Sequence, residues 1–297
     1  MARIDNPILS LRVRAFGRSV ARWDTAITLS TLWLAVCVFI LLFGVEFAPY
    51  RPTSIDLTHR LAPPAFAGGT WSHFLGTDDL GRDVLSRLIY ATRISLLVAV
   101  IGVPLGAVIG ALIGFLAAYM RGLVDETVTM LVDAQAALPY MIVALSVIAF
   151  LGNNVVLLMI IIGSYGWERY ARLSRSLSMS LLERGFVVAA QTYGVSGVPL
   201  FVRHILPNAL GIFFVNMTIT FAEIMLLESS LSFLGLGFQP PVASLGNMIG
   251  LGREYMLSAW WVAVFPGTVI CLTALSASLI GDGLRDRFDP SAREAAR

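Results

Sequence analysis

Long apolar segments are the feature that most constrains what this chain can fold into. A helix needs about 20 mostly apolar residues to cross a bilayer, and six segments are predicted to do so. They lie at 26–48, 94–119, 128–150, 155–167 (reaching about 170), 211–234 and 260–280. Of the 297 residues, 57% are hydrophobic and only 13% are charged, whereas about a quarter are charged in soluble domains. The chain is therefore predicted to be an integral membrane protein.

The predicted fold class is all-α, a polytopic membrane protein with six transmembrane helices. Backbone polar groups in lipid need partners inside the structure, and the six segments show no strand-like alternation. The third segment is less regular, because Asp133 and Pro139 interrupt it. The second carries four small residues on one helical face, which allows close packing against another helix. These are Gly102, Gly106, Gly110 and Gly114.

The distribution of arginine predicts the orientation of the chain. Fifteen of the 21 basic residues fall on the side that holds both termini, and an excess of positive charge marks the cytoplasmic side. Both termini are thus predicted to be cytoplasmic. The first apolar run is too long for a signal peptide and is interpreted as an uncleaved anchor.

The sequence predicts four parts along the chain. They are a basic cytoplasmic tail at 1–25, the first transmembrane helix with an outer loop and an interfacial helix at 26–93, a five-helix core at 94–281, and a cytoplasmic C-terminal tail at 282–297. The interfacial helix is predicted to start at Val84, because apolar and arginine side chains are interspersed there as in amphipathic helices.

All 21 basic residues are arginine, and this excludes two kinds of chemistry. A P-loop needs a lysine against the nucleotide phosphates, and a Schiff base needs a lysine amine. A net charge of +2 gives no reason to expect nucleic acid. Cys37 and Cys271 lie in apolar runs and are interpreted as core residues. The three histidines are scattered, so no metal site is predicted.

The segment 168–209 is predicted to face the cytoplasm as two short helices joined at a bend. The first, 181–193, is expected to end before Gly194, because glycine readily adopts the left-handed conformation that follows a helix. The second, 197–206, is expected to end at Pro207, because proline lacks the amide hydrogen that a helix needs.

One side of the second short helix is expected to be apolar and exposed to water. Its members are Leu200, Phe201, Ile205 and Leu206, with Arg203 and Asn208 at the rim. An exposed apolar patch normally marks a site where a partner binds. The alternative is that this face packs under the chain's own helical bundle.

Several motifs resemble a known transporter family. Ala189-Ala190, then Gly194, then HILPN at 204–208, is similar to the cytoplasmic coupling loop of permease subunits of binding-protein-dependent ABC importers. Three further stretches resemble the second permease of dipeptide, oligopeptide and nickel importers. They are GTDDLGRDVLSRLIYATRISL at 76–96, SSLSFLGLGFQPPVASLGNMI at 229–249 and GDGLRDRFDP at 281–290. The matches extend in order over most of the chain.

The resemblance implies a type I ABC importer permease fold with a coupling loop at 174–209. It implies a non-catalytic subunit of the bacterial inner membrane, whose partners are a homologous second permease, two ATP-binding subunits, an extracytoplasmic solute-binding protein and the lipid bilayer. No nucleic acid is expected as a partner. No cofactor is expected on this chain, since ATP and Mg would be held by the ATPase subunits. The implied cargo is a dipeptide or oligopeptide, with nickel or another small solute as the alternative.

The resemblance also places the contact with the ATPase in the coupling loop. The residues carried over are Ala189, Ala190, Gly194, Phe201, Arg203, His204, Leu206, Pro207 and Asn208. The family usually has glutamate immediately before the alanine pair. Val188 stands there in this chain, which removes one candidate charged contact with the ATPase.

Two acidic residues, Glu223 and Glu228, lie inside the fifth apolar segment. Ionisable groups at membrane depth are costly and usually face protein or water, so both are candidates for lining the translocation path. The alternative is a structural contact, either with the companion permease or with serine and threonine on a neighbouring helix. Five residues separate them, which is about 140° around a helix, so they cannot both point at one partner.

Two other function classes remain to be weighed. GVSG at 194–197 superficially resembles the serine motif of an intramembrane protease, but a nucleophilic serine needs a base within reach. No histidine lies inside a predicted span. A self-sufficient secondary transporter commonly has inverted repeats, and no convincing repeat is visible. The chain is therefore predicted to be a transport subunit and not an enzyme.

Overall fold

The structure is a computed structural model that describes residues 7–239 and 241–288. Within these ranges the regular secondary structure is helical, and the one β-bridge joins Thr77 to Asp83. The α-helices are α1 (Pro7–Phe47), α2 (Val84–Met120), α3 (Gly122–Ala137), α4 (Tyr140–Leu151), α5 (Val155–Gly163), α6 (Trp167–Leu182), α7 (Gly185–Thr192), α8 (Gly197–Leu200), α9 (Leu206–Phe233), α10 (Leu245–Gly252) and α11 (Trp261–Phe288). The predicted tails lie partly outside the described residues, at 1–6 and 289–297.

Four helices in the described part of the chain are long and apolar enough to cross a membrane. They are Thr25–Phe47, Val84–Met120, Gly197–Phe233 and Trp261–Asp286. A fifth crossing is possible through α3 and α4, which meet at an angle of 89°. The all-α prediction is confirmed, whereas the number of six spans stays a prediction.

The third and fourth predicted spans are broken helices. The third bends between α3 and α4, where Leu138 and Pro139 are extended. This agrees with the interruption expected at Pro139, because proline disfavours helical backbone at the residue before it. The fourth is interrupted at 164–166, where Gly166 adopts φ +79° between α5 and α6.

The glycine stripe on α2 packs against α5 and α6, as the spacing predicted. A Cβ atom on Gly110 would overlap the carbonyl oxygen of Trp167, and one on Gly114 would overlap that of Ala171. Ser174 strengthens this contact, since its Oγ donates a hydrogen bond of 2.7 Å to the carbonyl oxygen of Ala111. Small residues therefore let the two helix backbones touch.

The start of α6 packs against the second predicted span, and the prediction that the chain faces the cytoplasm from Glu168 onward stays a prediction. Residues 167–174 lie against Gly110 and Gly114, within the second predicted span. Each of the three arginines of α6 has a carboxylate partner on another helix. Two of these pairs are Arg172 with Asp133, at 3.2 Å, and Arg175 with Asp125.

The predicted interfacial helix at Val84 is wrong. Val84 begins the long helix α2, and Asp83 caps it by accepting a hydrogen bond of 2.8 Å from the amide of Ser86. The arginine in this amphipathic pattern does not face lipid headgroups. Arg87 is buried beneath the folded outer loop, where its guanidinium pairs with the buried carboxylate of Asp78.

The outer loop is itself an ordered layer over the helices. Asp78 accepts hydrogen bonds from the amides of Leu80 and Arg82, and from the Nε of Arg82 at 2.7 Å. The indole of Trp261, at the start of α11, donates a hydrogen bond of 3.0 Å to the carbonyl oxygen of Thr77. The sequence motif GTDDLGRD at 76–83 thus joins the outer loop to two long helices.

Candidate functional site

The two short helices α7 and α8 form a bend, here called the elbow, defined as residues 185–208. Gly194 adopts φ +84° after α7, as the sequence predicted. Its amide donates to the carbonyl of Gln191, and the amide of Val195 donates to that of Ala190. This pair of bonds is the glycine-ended helix stop known as the Schellman motif. Ser196 directly precedes α8, but its side chain caps no amide.

The expectation that Pro207 ends the second short helix is wrong. α8 continues through a widened turn at Phe201–Ile205 into α9, so that Gly197–Phe233 is one continuous helix. In the widened turn the amide of Leu206 donates to the carbonyl of Phe201, five residues back. Such a widened turn alters the pattern of backbone hydrogen bonds in the helix. Here it lies just before Pro207, which has no amide hydrogen to donate. The amide group of Asn208 donates to the carbonyl of His204 at 2.7 Å.

The prediction of an exposed apolar face on this helix is also wrong. Leu200, Phe201 and Ile205 are buried, and Leu206 is partly buried. The ring of Phe201, which is only 4% exposed, packs on Phe115 of α2. The alternative that this face packs under its own bundle is therefore the one that the structure supports.

Apolar side chains are nevertheless exposed at other positions of the elbow. Tyr193 is 89% exposed, and its neighbours there are Phe186, Val188, Val198 and Val202. These five side chains are called the outer elbow face. The sequence prediction did not include them, because it concerned the other side of the second short helix. The position of Tyr193 directly before the helix-ending glycine was the available signal, since a residue there sits at a turn.

The candidate ATPase-contacting residues divide into three groups by exposure. Ala189, Gly194, Arg203, Pro207 and Asn208 are exposed, Ala190, His204 and Leu206 are partly buried, and Phe201 is buried. Three exposed members are sequence neighbours of the outer elbow face, since Ala189 follows Val188, Gly194 follows Tyr193 and Arg203 follows Val202. A direct contact of Phe201 with a partner is not compatible with its burial.

Glu228 lies in a sealed polar cluster between three helices. It is 1% exposed, and its carboxylate accepts hydrogen bonds from Ser95 on α2 at 2.8 Å and from Ser232 at 2.7 Å. The hydroxyl of Ser95 also accepts a 3.4 Å bond from the amide of Leu245 on α10. Glu228 is thus a structural link with serine partners, which was one of the two alternatives.

Glu223, on the same helix, is more exposed than Glu228. Its two carboxylate oxygens lie 2.9 and 3.1 Å from one guanidinium nitrogen of Arg169 on α6. The side chains of this pair are 31% and 40% exposed. Glu223 therefore has a structural partner and still borders accessible space, so both of its alternatives stay open.

The remaining reactive groups do not assemble a catalytic or metal site in the described ranges. No three His, Cys, Asp or Glu residues there are placed to hold a metal ion. His73 is bound to Asp83 at 3.0 Å beneath the outer loop, and His59 to Asp56 at 2.8 Å. Ser196 has no histidine partner among the hydrogen bonds of the described side chains.

Comparison with known proteins gives consistent matches over this architecture. Residues 110–294 match the family described as "Binding-protein-dependent transport system inner membrane component". The chain is 37% identical over 266 residues to the di/tripeptide transport system permease protein of Pseudomonas aeruginosa, covering 89% of this chain and 88% of the relative. It is 38% identical over 264 residues to the dipeptide transport system permease protein of Escherichia coli, again covering 89% and 88%. A putative peptide transport system permease protein of Brucella suis is 37% identical over 259 residues, with 86% of each covered.

Proposed function

Because this chain belongs to the family of binding-protein-dependent transport system inner membrane components, we propose that it is the permease subunit of an ATP-driven importer of di- and oligopeptides. The observation that carries the proposal is the match over 89% of the chain to relatives named for peptide transport. The composition supports ATP hydrolysis by other subunits, since a chain without lysine cannot form a P-loop.

The partners in this proposal follow from the family. A second, homologous permease completes the translocation path, two ATP-binding subunits lie on the cytoplasmic side, and a solute-binding protein delivers the cargo from outside. ATP and Mg are held by the ATP-binding subunits. Both termini are cytoplasmic, as the arginine distribution suggests. The elbow then lies at the cytoplasmic surface and the outer loop at the opposite one.

The outer elbow face is the proposed contact with an ATP-binding subunit. Exposed apolar patches on a water-facing surface normally bind a partner, and an aromatic residue such as Tyr193 is typical of the centre of such a contact. Arg203 and Asn208 supply polar groups at its edge. The buried Phe201 supports the elbow from behind by packing on Phe115, so that a push on the elbow reaches α2.

The test uses the complete complex reconstituted in vesicles with its binding protein. Tyr193→Asp and Val198→Asp place charge in the proposed contact, so we expect peptide uptake to fall at least tenfold with both permeases still present. Leu123→Asp is the matched control, because Leu123 is exposed just after the end of α2 and lies outside the elbow. Unchanged uptake in both elbow variants would contradict the docking role.

The same vesicle assay distinguishes between the possible cargoes and between ATP-driven and secondary transport. Uptake of a labelled dipeptide that depends on ATP supports the peptide importer, whereas uptake of nickel or another small solute without peptide uptake points to the alternative cargo. Transport by this chain alone, without ATP-binding subunits, would instead indicate a secondary transporter. The three results are mutually distinguishable.

A further inference from the structure

The breaks in the third and fourth apolar segments lie beside each other. Tyr140, the first residue of α4, donates a hydrogen bond to the carbonyl of Ile161, and its Oη lies 3.0 Å from the Oγ of Ser164. The rings of Tyr140 and Tyr165 are 5.0 Å apart, centroid to centroid, and nearly perpendicular. Two helix interruptions thus meet around a pair of tyrosines.

This junction lies near the middle of the predicted second span. A Cβ atom on Gly106 would be 2.8 Å from the carbonyl oxygen of Tyr165, and Gly106 is central in the span predicted at 94–119. Polar groups at this depth face protein or water and not lipid. Broken helices at mid-depth are a common device for binding substrates in transporters.

The charges around the junction are paired with one exception. The three arginines on this side of α6 each bind a carboxylate from another helix, namely Arg169 with Glu223, Arg172 with Asp133 and Arg175 with Asp125. Glu168 has no ion pair with any residue that the structure describes. Its Oε2 is buried and has no hydrogen-bond partner among those residues. A buried carboxylate oxygen without a donor is costly, so this oxygen is a candidate acceptor for a donor that is not part of this chain.

The surroundings of Glu168 favour a cation as that donor. Glu168 lies in the first turn of α6, three residues after Tyr165, whose ring contacts that of Tyr140. Tyrosine rings attract an ammonium group through their negative faces. The neighbouring guanidinium of Arg169 is already engaged by Glu223, so its positive charge is offset. An ammonium has three N–H donors and no acceptor, which suits an acceptor-only site.

We propose that Glu168, with Tyr140 and Tyr165, forms an ammonium-binding subsite that receives the α-ammonium group of a peptide during translocation. This inference rests on the proposed function, because it requires a cargo with a free amine to pass this face. The subsite is open to cargo only where the junction borders the path between the two permeases. The neighbouring pair of Arg169 and Glu223 is partly exposed, with side chains that are 40% and 31% accessible.

The experiment measures ATP-dependent uptake of labelled Ala-Ala by the whole complex with Glu168→Gln. The binding protein is unaltered, so delivery of the dipeptide is the same in every sample. Loss of a charge-assisted hydrogen bond corresponds to about tenfold or more. We expect maximal uptake to fall by that factor, retention of Ala-Ala in the vanadate-trapped complex to fall with it, and Glu168→Asp to recover part of both.

The matched control is Asp133→Asn, which neutralises an acid that is 64% exposed and paired with α6 without touching the junction. We expect less than a twofold change in uptake and in retained peptide. Wild-type uptake and retention in Glu168→Gln would overturn the subsite. Loss of the second permease from that variant would also overturn it, because the missing donor would then belong to the partner subunit. Absence of dipeptide uptake by the wild-type complex would contradict the proposed function itself.

Discussion

The ring of Phe201 lies 4.4 Å, centroid to centroid, from the ring of Phe115. This contact joins the elbow to α2, and it places in the core a side chain that the sequence suggested would face a partner. The burial of Phe201 therefore changes what its substitution is expected to do.

Phe201→Ala should destabilise the folded chain and not merely weaken docking. Truncating a buried phenylalanine costs about 3–5 kcal/mol through lost packing and the cavity left behind. Thermal unfolding of the purified protein measures this loss. Val202→Ala is the control, because Val202 is an exposed neighbour. Equal stability of the two variants would contradict the packing role of Phe201.

Gly110→Ala should separate α2 from α6. The added methyl group overlaps the carbonyl of Trp167, and overpacking of this kind costs about 1–3 kcal/mol. We expect a lower unfolding temperature and a smaller yield of monodisperse protein. Gly185→Ala is the matched control, since no atom lies within 4 Å of its added methyl group and its φ is not positive.

Gly194→Ala should disturb the elbow while leaving the core intact. A residue with a Cβ atom is strained by about 1 kcal/mol at the φ of +84° found here. We expect uptake to fall several-fold with little change in thermal unfolding. Ser196→Ala, two residues away, removes a hydroxyl that caps no amide and should behave as wild type. Wild-type uptake by the Gly194 variant would show that the shape of the bend is not critical.

Glu228 should tolerate an amide but not an apolar replacement. In Glu228→Gln the side chain can still bond Ser95 and Ser232, so uptake is expected to stay within about twofold. Glu228→Ala leaves both hydroxyls without their acceptor and should cost about 1–3 kcal/mol in stability. Thermal unfolding and uptake, measured together, check this. A selective loss of uptake in Glu228→Gln would instead place the residue in the cargo path.

The outer loop should respond to pH through Asp56. Hydrogen bonds from Thr58 and then from His59 lower the pKa of this carboxyl from 3.8 to about 2. A lowered pKa in the folded state stabilises the loop above pH 3.8, and this contribution is lost as the pH falls through about 2. Hydrogen exchange at the Thr58 amide should thus be faster in Asp56→Asn than in wild type at pH 5. The two rates should converge near pH 2.

Patterns that depend on local spacing predicted the structure well. The four-residue spacing of the glycines correctly predicted the face of α2 that packs closely against another helix. Such packing requires only that the segment is helical and that a second helix lies beside it. Gly194 likewise predicted where α7 ends, since the preference of glycine for the left-handed conformation does not depend on distant parts of the chain. The interruption at Pro139 follows from the geometry of proline alone.

The errors concern residues whose environment is set by distant parts of the chain. Pro207 was expected to end a helix, but the widened turn before it absorbs the missing hydrogen bond. Sequence spacing also does not show that the arginines of α6 pair with Asp125, Asp133 and Glu223, because these acids lie on other helices. Phe201 was placed at a surface because sequence spacing does not tell which side of an amphipathic helix the bundle covers.

The continuous helix from Gly197 to Phe233 can transmit a tilt at one of its ends to the other. Its 37 residues span about 55 Å at 1.5 Å per residue, so it behaves as a single stiff lever. A tilt of about 5° about one end would displace the other by about 5 Å. Glu228 links the far end to α2 and α10, and a small tilt at the Gly197 end would therefore move the Phe233 end sideways beneath the outer loop.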